Sequence, residues 1–113
     1  MLKKSVNNKK RLNKKIQTVV EKYLHAIADS GLPIQAAYVF GSQVSGRSNP
    51  ESDIDIGIIS INFRHQWWVT QMKLRALRRP IDLRIEPHGF APEDFIPEHP
   101  LFLEIKRHGI KMQ

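Results

Sequence analysis

The stretch FGSQVSGRSNPESDIDIGIIS, Phe40 to Ser60, decides the fold. An apolar run stops at a Gly-Ser pair, and a second apolar run carries Asp53 and Asp55 two residues apart. Successive strand residues face opposite sides of a sheet, so Asp53 and Asp55 share a face while Ile54 and Ile56 point to the other. Taken alone the Asp-x-Asp is a weak signal, since Asp53 could simply cap the loop end after Ser52; the Gly-Ser turn before it strengthens the functional reading. The Gly41-Ser42 pair, placed where the first strand ends, suits a turn into a short helix with Ser42 as its N-cap. Such a turn presents free backbone N–H groups to an anion, and glycine lets a phosphate approach the backbone.

Working outward, IQAAYVF (34–40) reads as a buried strand and DIDIGIIS (53–60) as a second. Upstream, Leu12, Ile16, Val19, Val20, Tyr23, Leu24 and Ile27 recur at spacings of three and four, which predicts an amphipathic helix from about Lys9 to Ser30, closed by Gly31 and Pro33. Downstream, residues 64–79 have helical propensity with a basic end, and Pro80 stops them. IDLRIEP (81–87) alternates with period two and reads as a third strand; residues 101–111 read as a closing helix. The order predicts an α/β (α+β) domain: a small mixed β-sheet with helices packed on it.

The chain of 113 residues suits one domain. The net charge of +7 is all N-terminal. Lys3, Lys4, Lys9, Lys10, Arg11, Lys14 and Lys15 precede any acid, which leaves 18 − 7 = 11 basic residues against 11 acidic ones afterwards. Residues 1–15 therefore read as a basic arm leading into the first helix, and 16–113 as the domain. An arm without interleaved aromatics reads first as a solvated segment; nucleic-acid binding is the sharper alternative but not the favoured one. No apolar run nears the ~20 residues of a membrane span, and no signal peptide is evident, so a cytoplasmic location is expected. Zero cysteines exclude disulfides and thiolate metal sites.

On the third predicted strand, Asp82 is placed to join Asp53 and Asp55 if the strands are neighbours, about 4.8 Å apart. Two or three carboxylates with open positions suit Mg²⁺ or Mn²⁺. An ion pair with Arg84 would explain Asp82 more simply. Glu86 shares that face and is expected to pair with Arg84 as well. An EF-hand reading fails, since Gly57 and Arg64 stand where ligands are needed. Of Trp67 and Trp68, adjacent on a helix, one is expected in the core and one on a partner surface. Arg75, Arg78 and Arg79 read as a basic helix end, and the five histidines show no metal-ligand spacing.

The quoted run resembles the signature of the DNA polymerase β-like nucleotidyltransferase superfamily: a Gly-Ser, ten residues, then Asp-x-Asp. In length and element order the chain is similar to its minimal nucleotidyltransferases, the MNT group. The resemblance implies transfer of a nucleoside monophosphate from ATP or another nucleoside triphosphate. Asp53, Asp55 and Asp82 would be the catalytic acids and the ligands of Mg²⁺ or Mn²⁺, and Gly41 and Ser42 would bind the triphosphate. Many MNT members carry a basic residue after the Gly-Ser; here it is Gln43, and Arg47 is the candidate to supply the charge. The resemblance also implies a small helical HEPN protein as partner, with the chain acting as antitoxin by adenylylating it. Transfer to a small molecule or RNA, and a non-catalytic module that neutralises its partner sterically, are the other readings.

Overall fold

The computed structural model describes residues 12–46 and 49–113; the basic run from Lys3 to Arg11 and the candidate Arg47 lie outside the described residues. Helix α1 (Lys14–Asp29) begins where Asn13 caps it, the Asn13 side chain accepting from the Lys15 amide at 2.8 Å. Lys14 and Lys15 thus belong to its first turn. Its buried face is Ile16, Val20, Tyr23, Leu24 and Ile27, the stripe expected from the spacing. Gly31, with φ of 86°, turns the chain out of the helix in a conformation that other residues rarely adopt.

Strand β1 (Ala36–Phe40), helix α2 (Ser42–Ser45), strand β2 (Ile54–Ile59), helix α3 (Trp67–Leu77), strand β3 (Ile85–Phe90), helix α4 (Phe102–His108) and strand β4 (Ile110–Lys111) follow in order. A 3-10 turn at Ile61–Arg64 takes the first residues of the helix expected from 64. The sheet runs β3-β2-β1-β4, with β2 antiparallel to β1 and parallel to β3. It is the small mixed sheet with packed helices that the sequence predicts.

The register sorts the two faces of the sheet. Ile54, Ile56 and Ile58 join Ala37, Val39 and Ile85 in the larger core, which also holds the buried face of α1 and Leu74 of α3. On the opposite face three rows cross the sheet: Phe40, Asp55 and Glu86; Tyr38, Gly57 and His88; Ala36, Ile59 and Phe90. The last row packs with Phe40 and with Ile105 of α4 into a second core. A Cβ on Gly57 would press on Ile105 at 3.3 Å, so the glycine makes room for α4. The carboxylate row lies at the end of this face.

Three expectations need correction. The third strand is residues 85–90, not 81–87. Asp82 sits in the turn before it, where its carboxylate accepts from the Arg84 backbone amide at 2.9 Å; this local side-chain bond competes with strand pairing. The closing helix ends at His108 because Ile110 and Lys111 pair with Val39 and Tyr38 as a fourth strand. Such a two-residue strand has too little pattern to be read from sequence.

The buried Tyr23 hydroxyl donates to the Leu74 carbonyl at 2.7 Å and so ties α1 to α3. Burial pushes the phenol pKa well above its ordinary value. Tyr23→Phe leaves that carbonyl unpaired and is expected to cost about 1–2 kcal/mol, read as a lower denaturation midpoint at unchanged slope.

Candidate active site

β1 ends at Phe40, and the chain reverses at Gly41 with φ of 81°; Gly41, not Ser42 as expected, caps α2, and Ser42 is its first residue. The amides of Val44 and Ser45 return to the Gly41 carbonyl, leaving those of Ser42 and Gln43 at the open first turn. A Cβ built on Gly41 would lie 2.5 Å from Asp55 Oδ2. Backbone and carboxylate are therefore in direct contact, and glycine is required twice over, for its dihedral and for its missing side chain.

Gln43 fills the place where a positive charge was expected. Its Nε2 donates to the carbonyls of Ser52 (3.2 Å) and Asp53 (3.3 Å). It is a strut between α2 and the residue that begins the acidic pair. The other end of the loop is held by Arg84, whose Nη1 donates to the Pro50 carbonyl at 3.0 Å.

Asp53 is exposed, immediately before β2, and among the described residues its carboxylate has no ion-pair partner. Asp55 is half-buried. His88 Nε2 lies 3.0 Å from Asp55 Oδ1, and the imidazole ring stacks at a tilt on Phe40 with centroids 5.0 Å apart. A carboxylate only accepts, so Nε2 carries the proton in this pair. Asp55 is thus held at Oδ1 by His88, with Oδ2 lying close against the Gly41 backbone.

The structure does not bring Asp82 to this pair. In the parallel register Asp55 stands beside Glu86, while Asp82 lies three residues ahead of β3. Arg84 holds Asp82 by three contacts: Nη2 to Oδ2 at 2.8 Å, Nε to Oδ1 at 3.1 Å, and its own amide to Oδ1. Hydrogen bonds from the Arg84 side chain, ahead of its backbone bond and charge, hold the Asp82 carboxyl below the usual carboxylate range. Glu86 does not share that arginine as expected. Its Oε1 pairs with Arg75 Nη1 at 2.5 Å, with Arg78 Nη1 at 3.8 Å, so Arg75 has a partner more specific than the helix dipole.

Among the described residues no three His, Asp or Glu side chains converge closely enough to cage a metal ion alone. The donor set still fits Mg²⁺ or Mn²⁺, which take one or two carboxylates and complete their shell from water and phosphate oxygens. Asp53 and Asp55, beside the Gly41 turn, would supply those oxygens. A cavity of about 390 Å³ opens next to the same loop, lined by Gln43, Asn49 and Arg84 together with Lys15 from the start of α1. The residues missed by sequence reasoning are Glu86 as the carboxylate beside Asp55, and His88. Counting on by two from Glu86 reaches His88, but only the register of β3 gives that step its meaning.

A family model described as Polymerase beta, Nucleotidyltransferase matches residues 14–98, a span that contains the Gly41 turn, both aspartates and Glu86. No curated protein matches the chain. Among solved structures, the chain is similar to a Sulfolobus solfataricus protein whose assignment as a nucleotidyltransferase is provisional. The match covers 86% of this chain and 78% of that one, with a TM-score of 0.59 at 15% identity; likeness at that identity speaks for the fold.

Asp82 gives this end of the sheet an acid sensitivity. Its folded pKa is depressed, so the stability it contributes is present above the unfolded value of 3.8 and lost as pH falls through the lower folded value. Asp82→Asn is expected to cost about 1 kcal/mol at neutral pH. The difference from the unmodified chain should vanish under acid, which denaturant titrations across that range will show.

Proposed function

The chain belongs to the polymerase β nucleotidyltransferase family, and on that premise we propose that it transfers a nucleoside monophosphate, AMP from ATP in the first instance, to a hydroxyl group, releasing pyrophosphate. One observation carries the reading: Asp55 stands on β2 one residue after its start, with Asp53 immediately before the strand and the Gly41 backbone packed against the Asp55 carboxylate. A turn that accepts phosphates and a carboxylate pair that accepts a dication then serve the same triphosphate.

In this mechanism Gly41 and Ser42 hold the triphosphate tail through backbone amides and the Ser42 hydroxyl. Asp53 and Asp55 would hold Mg²⁺ or Mn²⁺, with Glu86 as the third carboxylate in place of Asp82, because the register sets Glu86 beside Asp55 while Arg84 occupies Asp82. A bound dication neutralises the phosphate oxygens and the departing pyrophosphate. The acceptor oxygen forms its bond to the α-phosphorus as the α–β bridging P–O bond breaks, and pyrophosphate leaves with that electron pair. The hydroxyl proton passes to Glu86 Oε2, since Arg75 occupies Oε1. His88 keeps Asp55 in place throughout. Arg47, outside the described residues, is assigned to the phosphates from the sequence alone.

The acceptor we assign is a hydroxyl on a partner protein of the HEPN type, with the chain acting as antitoxin. That part rests on the resemblance to the MNT group. An RNA acceptor is the second reading, favoured by the cationic cavity at the start of α1, where the basic run of residues 3–11 joins the domain.

The test incubates the chain with Mg²⁺, labelled ATP and a candidate HEPN protein or RNA. Transfer should need the dication and fall by about 10²-fold or more in Asp53→Ala and Asp55→Ala. Transfer that survives in both variants overturns the reading. Glu86→Gln and Asp82→Asn decide the third carboxylate: a loss of similar size is expected in Glu86→Gln, and a change of less than about tenfold, a second-sphere effect, in Asp82→Asn.

A further inference from the structure

Helix α3 is apolar on two sides. Its inner side buries Leu74, with Thr70 and Gln71, against the sheet and α1. Its outer side leaves Trp68 71%, Val69 65% and Met72 49% exposed, with Ala76 also in solvent. A surface helix ordinarily carries one apolar stripe, and a helix apolar all round is covered on both sides. A contiguous patch containing an open tryptophan and methionine has the composition of an interface core rather than of a free surface. None of these side chains takes part in the transfer reaction proposed above.

The pattern on the patch specifies its occupant. Trp68, Met72 and Ala76 stand four residues apart and form one ridge. The ridge is large on one side of Met72 and small on the other. If a second α3 lies antiparallel on the first, with a two-fold axis at Met72, each Trp68 falls over the Ala76 of the other copy. Large then meets small twice, and the contact closes at two copies.

Charge follows the same axis. At the N-terminal end of α3 a pocket of about 410 Å³ is lined by Trp67, Ile96, Asp94 and Glu98. Past the other end, in the turn that follows Leu77, stands exposed Arg79. Among the described residues Asp94, Glu98 and Arg79 form no ion pair, whereas the neighbouring Glu93 is taken by Arg64. The two-fold that seats Trp68 over Ala76 also turns the Arg79 end of each copy toward the Asp94 and Glu98 end of the other. An acidic end and a basic end around an apolar centre are complementary to themselves.

We infer that the outer face of α3 is the self-pairing surface of a homodimer, with Trp68 of each copy packed over Ala76 of the other. Light scattering and sedimentation of the full chain between about 1 and 200 µM should show the mass doubling with concentration. Trp68→Ser and Ala76→Trp should each raise the dissociation constant by about thirtyfold or more, with the circular dichroism and melting of the monomer kept. Arg79→Glu should weaken pairing, and Asp94→Lys with Glu98→Lys should restore it in that background, an outcome that only this antiparallel arrangement produces. A single-chain mass across the whole range overturns the inference. So does a dimer that Trp68→Ser and Ala76→Trp leave intact, or a chain that stays monomeric and uses Trp68 only to bind a different protein.

Discussion

Gly41 has no side chain because Asp55 occupies the space one would need. Much of the site depends on that contact. It fixes where β1 stops, since only glycine readily takes the turn with φ of 81° there. It aims the first turn of α2 past the carboxylate rather than over it. It brings Gln43 within reach of the Ser52 and Asp53 carbonyls, which in turn sets Asp53 at the mouth of β2. The open first turn of α2 and the Asp55 carboxylate meet because the Gly41 backbone lies directly against one carboxylate oxygen.

The strand behind that contact divides the labour by parity. Ile54, Ile56 and Ile58 are fully buried between the sheet and its two helices, and they make β2 a rigid mount. Asp55, Gly57 and Ile59 look the other way, and only the first of them faces the open end of the sheet. Further along that face, α4 closes over Gly57 and Ile59 through Ile105. The apolar half of the strand thus fixes the carboxylates in place, and the second core confines the reactive surface to one end.

Much of this was legible in the sequence. The helical spacing from Ile16 to Ile27, the Gly-Ser break and the apolar run after Asp53 each predict an element, and the structure has all three: α1, the turn at Gly41 and β2. The third strand was legible as a strand but not in its register. IDLRIEPHGF alternates well enough for pairing to begin at either end, and the decision is made by a side chain: Asp82 bonds the Arg84 amide and spends those residues on a turn. Starting the strand at Ile85 rather than Ile81 leaves Asp82 outside it and sets Glu86 beside Asp55. The partnership of Arg75 with Glu86 was hidden for the same reason, because it depends on where α3 lies against the edge of the sheet.

The arginines then decide which carboxylates a cation can use. Arg84 holds Asp82 with a fork that uses both of its oxygens, a geometry in which a guanidinium is a strong partner and hard to displace. Arg75 takes a single oxygen of Glu86 and leaves the other free. Asp53 has no such partner among the described residues, and Asp55 has only a histidine on one oxygen. Availability to a dication therefore rises from Asp82 through Glu86 to Asp55 and Asp53. That order leaves the least engaged carboxylates at the start of β2, beside the glycine turn, with Glu86 in the same row as Asp55 and Asp82 as the brace that keeps Arg84 on the loop. Alternation thus leads to the acid that Arg84 holds, and register to the acid that stands beside Asp55.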